Sequence, residues 1–80
     1  MTVNYTLKEI VQYHRKQAKL TRIDLADLAG VGKTVIYDIE KGKETIKWST
    51  ITAVLNALNI EIKFEGPLME SYEKSISENA

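Results

Sequence analysis

The run Gly30-Val31-Gly32-Lys33-Thr34 has the residue types of a phosphate cradle: glycines that free the backbone, a lysine for charge and a threonine hydroxyl. A nucleotide loop needs G-x-x-x-x-G-K-[ST], because its first glycine turns the chain so that successive N–H groups ring the phosphates. Counting back from Gly32, that first place is held by Asp27, whose carboxylate would repel them. The residues before the loop should be a buried strand, yet Asp24 to Ala29 are rich in Ala and Leu with polar residues interspersed, which favours helix. Spacing, charge and context exclude a nucleotide loop. There is no cysteine, so no disulfide or thiolate metal site, and the single histidine, His14, argues against an all-protein metal site. No nucleophile–base pair is discernible. The expectation is a protein that is not an enzyme and uses no cofactor and no metal. What remains is a helix, a glycine turn and a second helix, with Lys33 and Thr34 just past the turn.

The elements that would position these residues can be read from periodicity. At 80 residues the chain is one small domain with a modest core. Thr6 with Glu9 is a capping-box pattern, with Tyr5 and Ile10 as a hydrophobic staple across it. Leu7, Ile10, Val11, His14 and Ala18 then share one face, predicting a helix from Leu7 to about Lys19 with His14 on its apolar side. Thr21 with Asp24 marks a second start, and a helix from about Arg22 to Ala29 offers Leu25, Leu28 and Ala29 inward. Gly30-Val31-Gly32 is the turn, with Val31 inward. A third helix, about Lys33 to Lys41, buries Ile36 and Ile39 and stops at Gly42. After the charged loop Lys43-Glu44-Thr45, the residues Trp48, Ile51, Val54, Leu55 and Leu58 make a fourth apolar face ending near Asn59. Trp48 is expected in the core or as the anchor of a dimer interface.

Then the period changes. Ile60, Ile62 and Phe64 alternate with Glu61, Lys63 and Glu65, the pattern of a half-buried strand, and Gly66-Pro67 ends it. Leu68 to Ala80 is polar and acidic without a sustained period, a mobile tail unless a partner orders it. The organisation expected is a helical domain over residues 1–59, a strand over 60–65 and a tail over 66–80. No apolar run approaches membrane-spanning length, and "MTVNYTLKE" lacks the form of a signal peptide, so a soluble, cytoplasmic protein without membrane contact is expected.

The formal net charge is zero, but it is unevenly spread. Residues 1–47 hold nine basic against six acidic side chains, and residues 48–80 hold two basic against five acidic. That asymmetry suits a front part facing a polyanion and a back part facing something else.

Two short helices joined by a glycine turn, within four helices, are the helix-turn-helix arrangement. The stretch "KLTRIDLADLAGVGKTVIYDIEKGK" resembles the Cro/C1-type (XRE) helix-turn-helix family, whose members read roughly L-T-Q-x-x-L-A-x-x-A-G-V-S-x-x-T-I-S-x-x-E-x-G. Leu20, Thr21, Leu25, Ala26, Ala29, Gly30, Val31, Ile36, Glu40 and Gly42 stand in the expected places. The chain from "WSTITAVLNALNIEIKFEG", where the last helix runs directly into a strand, is similar to the HipB-like antitoxins. The resemblance implies an all-α, lambda repressor-like domain of four helices with a short C-terminal β-strand that pairs across a homodimer. It also implies a repressor of its own operon that binds double-stranded operator DNA as an inverted repeat and neutralises a HipA-type serine/threonine kinase toxin.

Site residues follow from that resemblance. Lys33 and Thr34 open the recognition helix, where side chains first meet base edges, with Tyr37 and Asp38 one turn on. Two readings of Asp38 stand: it accepts from cytosine N4, or it pairs with Lys41 or Lys33 and stays off the DNA. Arg22 occupies a place where members usually carry Gln against a phosphate, and Arg serves there with more charge and reach. Thr21 caps helix two and can touch the same phosphate. Lys43 and Lys47 suit backbone contacts, or form a solvated charged loop. Arg15 and Glu40 match an ion pair that sets a helix angle, and Ile60, Ile62 and Phe64 form the apolar face of the dimer strand. Two other functions remain compatible: a stand-alone regulator, and a protein-binding antitoxin module with little DNA binding.

Overall fold

The computed structural model describes residues 6–78. It holds five helices: α1 (Leu7–Gln17), α2 (Arg22–Ala29), α3 (Val35–Glu40), α4 (Trp48–Ala57) and α5 (Met69–Glu78). α1 packs on α3, and α2 lies against both α3 and α4. One core results, from Val11 of α1, Leu25 and Ala26 of α2, Ile36 and Ile39 of α3, and Val54 and Leu55 of α4. α5 buries no residue. The radius of gyration is 15.4 Å, against about 12 Å for a compact chain of this length. The segment after Ile60 extends beyond the core instead of adding to it.

The first four helices leave by the same turn. Lys19, Gly30, Gly42 and Asn59 take left-handed backbone, with φ of 58°, 69°, 85° and 59°. The next N–H in each case reaches a carbonyl five residues back: Leu20 to Arg15 at 3.1 Å, Val31 to Ala26 at 3.0 Å, Lys43 to Asp38 at 3.0 Å, and Ile60 to Leu55 at 2.9 Å. Carbonyls otherwise left unpaired at the helix end are thereby satisfied. Leu20, Val31 and Ile60 also pack against the core, so an apolar anchor fixes three of these exits. Glycine takes this conformation without strain, whereas Lys19 carries a Cβ into it at about 1–2 kcal/mol. Lys19→Gly is expected to stabilise the domain by about 0.5–1 kcal/mol, after allowing for glycine's greater freedom when unfolded. Urea unfolding measures this, and a midpoint at lower urea than the parent would contradict it.

Several expectations change. Thr6 stands at the start of α1 without a side-chain hydrogen bond, so the Thr6–Glu9 box does not form, and Tyr5 of the staple lies outside the described residues. Leu28 is 64% exposed and Trp48 58% exposed. Leu28 sits about 100° around α2 from the centre of the Leu25, Ala26 and Ala29 stripe, by helical geometry. Trp48 is in the first turn of α4, and helical side chains lean toward the N-terminus, which carries its indole past the end of the core. His14 is exposed and bonds its own helix, with Nδ1 2.7 Å from the Ile10 carbonyl oxygen. The third helix begins at Val35, later than its expected start at Lys33.

The C-terminal part differs most. Among the described residues there is no strand, and Ile60, Ile62 and Phe64 lie in non-helical chain. A ladder needs a second strand, and the described residues offer none. The expected irregular tail is instead α5, because Leu68, Tyr72 and Ile76 recur at i, i+4 and i+8 and make an amphipathic helix. The stripe lies among acidic residues whose polarity masks its period.

Candidate nucleic-acid interface

The start of α2 is built by a reciprocal cap. The Asp24 N–H donates to Thr21 Oγ1 at 3.0 Å, and the Thr21 N–H donates to Asp24 Oδ2 at 3.0 Å. The bond from the Thr21 N–H, and then one from its hydroxyl, hold the Asp24 carboxyl below the usual carboxylate range. Thr21 is therefore committed as a cap. Arg22 follows at the first helical position with an exposed side chain, where the helix dipole favours an anion.

Glu40, at the last position of α3, ties three elements together. Arg15 Nε donates to Glu40 Oε2 at 2.7 Å and Arg15 Nη2 to Glu40 Oε1 at 3.0 Å. A third donor, Arg15 Nη1, reaches the Leu20 carbonyl at 2.9 Å. Arg22 Nε donates to Glu40 Oε1 at 3.2 Å. The Glu40 side chain is 3% exposed and that of Arg15 10%. Burial alone pushes the Glu40 carboxyl up, but the hydrogen bonds and charge of Arg15, and then of Arg22, outweigh it and hold the group below its ordinary value. Arg15 is held above its ordinary value by the same hydrogen bonds. The expected Arg15–Glu40 pair is present, as a two-point contact that fixes α1 against α3.

The turn Gly32–Thr34 runs into α3, with the Val35 N–H donating to the Gly32 carbonyl at 3.1 Å. Lys33 and Thr34 sit in that turn, exposed, and Tyr37 lies one turn on with 46% exposure. They form one outward row, since residues three and four apart are neighbours on a helix. Lys41 extends it: its Nζ lies 4.8 Å from the Tyr37 ring centroid, and the Arg22 guanidinium lies 5.8 Å from the same ring. Tyr37 is thus flanked by two cations. Its i+4 spacing to Lys41 was the signal that could have placed Lys41 in the site. Asp38 pairs with neither Lys33 nor Lys41; its Oδ2 is 3.9 Å from Lys43 Nζ. Lys47 stands exposed before α4, apart from this cluster.

The surface so assembled is an exposed, mainly basic row on a short helix, presented by a capped helix and a glycine turn. Among the described residues no group of acidic, His or Cys side chains could hold a metal, and no helix is long and apolar enough to cross a membrane. The family model HTH_3, helix-turn-helix, matches residues 11–64, and the chain belongs to that family, a class of DNA-binding regulators. An immunity repressor protein of Bacillus phage phi105 is 37% identical over 62 residues, covering 78% of this chain and 40% of the repressor. The chain thus spans well under half the length of that relative. An uncharacterised HTH-type transcriptional regulator, y4mF, of Sinorhizobium fredii (strain NBRC 101917 / NGR234) is 36% identical over 58 residues, covering 72% of this chain and 76% of the regulator. Among solved structures, a chain of the HipA-HipB-O2-O3 complex superposes with a TM-score of 0.71 at 18% identity, covering 84% of this chain and 99% of that one. A structure described as MDT Protein gives the same TM-score of 0.71 at 18% identity, covering 84% of this chain and 99% of that one. At that identity the likeness is one of fold.

Proposed function

We propose that the chain is a homodimeric, sequence-specific transcriptional repressor that reads an inverted-repeat operator with the row Lys33, Thr34 and Tyr37. The observation that carries this is the convergence of that row with Arg22 at a capped helix start, which joins base-edge donors to a phosphate contact on one face. Lys43 and Lys47 add charge for the flanking backbone. Asp38, partly neutralised by Lys43, accepts from cytosine or stands clear. Two copies joined through residues 60–65 would set half-sites about one helical turn apart, roughly 34–36 Å. The test is fluorescence anisotropy with the promoter of the chain's own operon. Nanomolar binding that requires both half-sites supports the reading; equal affinity for unrelated duplexes overturns it.

The finer reading is an antitoxin of the HipB-like kind, with a HipA-type kinase toxin as its partner. The fold likeness to a chain of the HipA-HipB-O2-O3 complex supports it, as does α5. That helix, with Leu68 just before it, exposes Leu68, Tyr72 and Ile76 at 75%, 58% and 49%, flanked by Glu70, Glu73 and Glu78. An exposed apolar stripe rimmed by charge fits a protein partner better than DNA. Truncation after Gly66 is expected to leave operator affinity within about twofold and to weaken binding of the neighbouring gene product about tenfold or more, since several side chains would be lost from the contact. Equal retention of both affinities would remove α5 from the toxin interface.

A further inference from the structure

Residues 60–65 leave the core as non-helical chain whose apolar side chains grow more exposed outward. Ile60 packs against the core, Ile62 is 38% exposed and Phe64 67% exposed. Glu61, Lys63 and Glu65 are exposed. Among the described residues, no backbone hydrogen bond within the chain engages residues 61–65. Such a segment presents a row of backbone donors and acceptors, with one apolar and one charged side.

We propose that this segment pairs antiparallel with a second copy in one register, with Ile62 opposite Ile62 on the two-fold axis. The inference rests on the dimer reading above and assigns the side chains that select the pairing. Directly opposite residues in an antiparallel pair share a face, so the apolar positions must meet apolar positions. With Ile62 on the axis, Ile60 faces the second copy's Phe64, a branched–aromatic pair, and this occurs twice. On the other face Glu61 meets the second copy's Lys63, also twice, giving two opposite-charge pairs. Three shifted registers with the same facing are worse. Lys63 on the axis sets Lys63 against itself and Glu61 against Glu65. Glu61 on the axis sets Glu61 against itself and leaves Lys63 facing Asn59. Phe64 on the axis keeps a Lys63–Glu65 pair, but it sets Ile62 against Gly66 and Glu61 against Pro67, which has no N–H for the ladder. One register combines apolar contact with opposite charge.

The test uses the full chain, which has no cysteine of its own. Sedimentation of the unchanged protein establishes the dimer separately; a monomer at every concentration overturns the dimer reading and this inference with it. For a dimer, Ile62→Cys is expected to cross-link to more than half under mild oxidation, because opposite Cα atoms lie about 4.5–5.5 Å apart, within disulfide reach. Phe64→Cys is expected to stay uncrosslinked, since four positions of strand separate the two sulfurs by roughly 13 Å along the ribbon. Glu61→Lys is expected to weaken the dimer about tenfold, and Glu61→Lys with Lys63→Glu to restore it to within about threefold. A dimer in which Phe64→Cys cross-links and Ile62→Cys does not overturns the register while leaving the dimer. So does a double variant no stronger than Glu61→Lys alone.

Discussion

Glu40→Ala is expected to destabilise the domain by about 3–5 kcal/mol, the range for removing one partner of a buried ion pair. The Arg15 guanidinium would remain in place with only the Leu20 carbonyl on Nη1, and Nε and Nη2 would lose their acceptors. For a small domain of modest core, that is a large share of the total stability. Replacing both partners, Arg15→Met with Glu40→Leu, is expected to recover most of the loss, because no charge is then stranded. Denaturant unfolding followed by circular dichroism separates the cases. A single-variant loss below about 1 kcal/mol would mean that the pair is solvated in solution. The same pair predicts acid sensitivity. Glu40 is held below its ordinary value in the fold, so its stabilisation is present above the unfolded carboxylate value and is lost as pH falls through the folded one. Glu40→Gln should flatten that acid limb. An acid limb unchanged in Glu40→Gln would assign it to other carboxylates.

The second large effect is on operator binding. Lys33→Ala is expected to lose about 1–3 kcal/mol on the cognate site and to relax preference at one or two base positions, as loss of a base contact does. Arg22→Ala should weaken binding to all sequences alike and lower the slope of log affinity against log salt by up to about one. Arg22 differs from a free surface cation because its Nε already meets Glu40. A phosphate there would bind the remaining guanidinium donors, so the salt slope can fall by less than one. Titrations of both variants against cognate and scrambled duplexes at several salt concentrations test this. If the two variants lose affinity equally on every duplex, Lys33 does not read bases.

Much of this arrangement was legible in the sequence because its signals are local. The Thr21–Asp24 box formed, the Gly30 and Gly42 exits formed, and the apolar spacing placed Val11, Leu25, Ile36, Ile39, Val54 and Leu55 inside. Arg15 and Glu40, 25 residues apart, met only because family resemblance linked them; no local pattern joins residues at that separation. Local signals misled where position in the bundle decides. Trp48 has the right spacing on α4 but stands beyond the core, and Leu28 falls off the inward stripe of so short a helix. The Thr6–Glu9 box has the same pattern as the one that forms at Thr21, yet no side-chain bond closes it. Ile60, Ile62 and Phe64 alternate with charged residues as a strand would, yet among the described residues that alternation forms no strand. Composition concealed α5, where polar and acidic residues surround the three apolar ones that shape the helix.

The division of labour along α3 has a consequence for how such a protein could change its target. Ile36 and Ile39 are buried and Val35 packs on the core, while Lys33, Thr34, Tyr37 and Asp38 point away from it. Substitutions at the four outward positions leave core packing untouched, and exposed replacements usually shift stability by no more than about 0.5 kcal/mol. A lineage could therefore pass from one operator to another through single steps, every intermediate still folded. Duplicated copies could diverge in target while sharing one scaffold. Glu40 is the exception on the same helix, since it serves the scaffold and holds Arg22 at once. Successive exchanges along the outward face change the surface it presents, but that carboxylate has to stay.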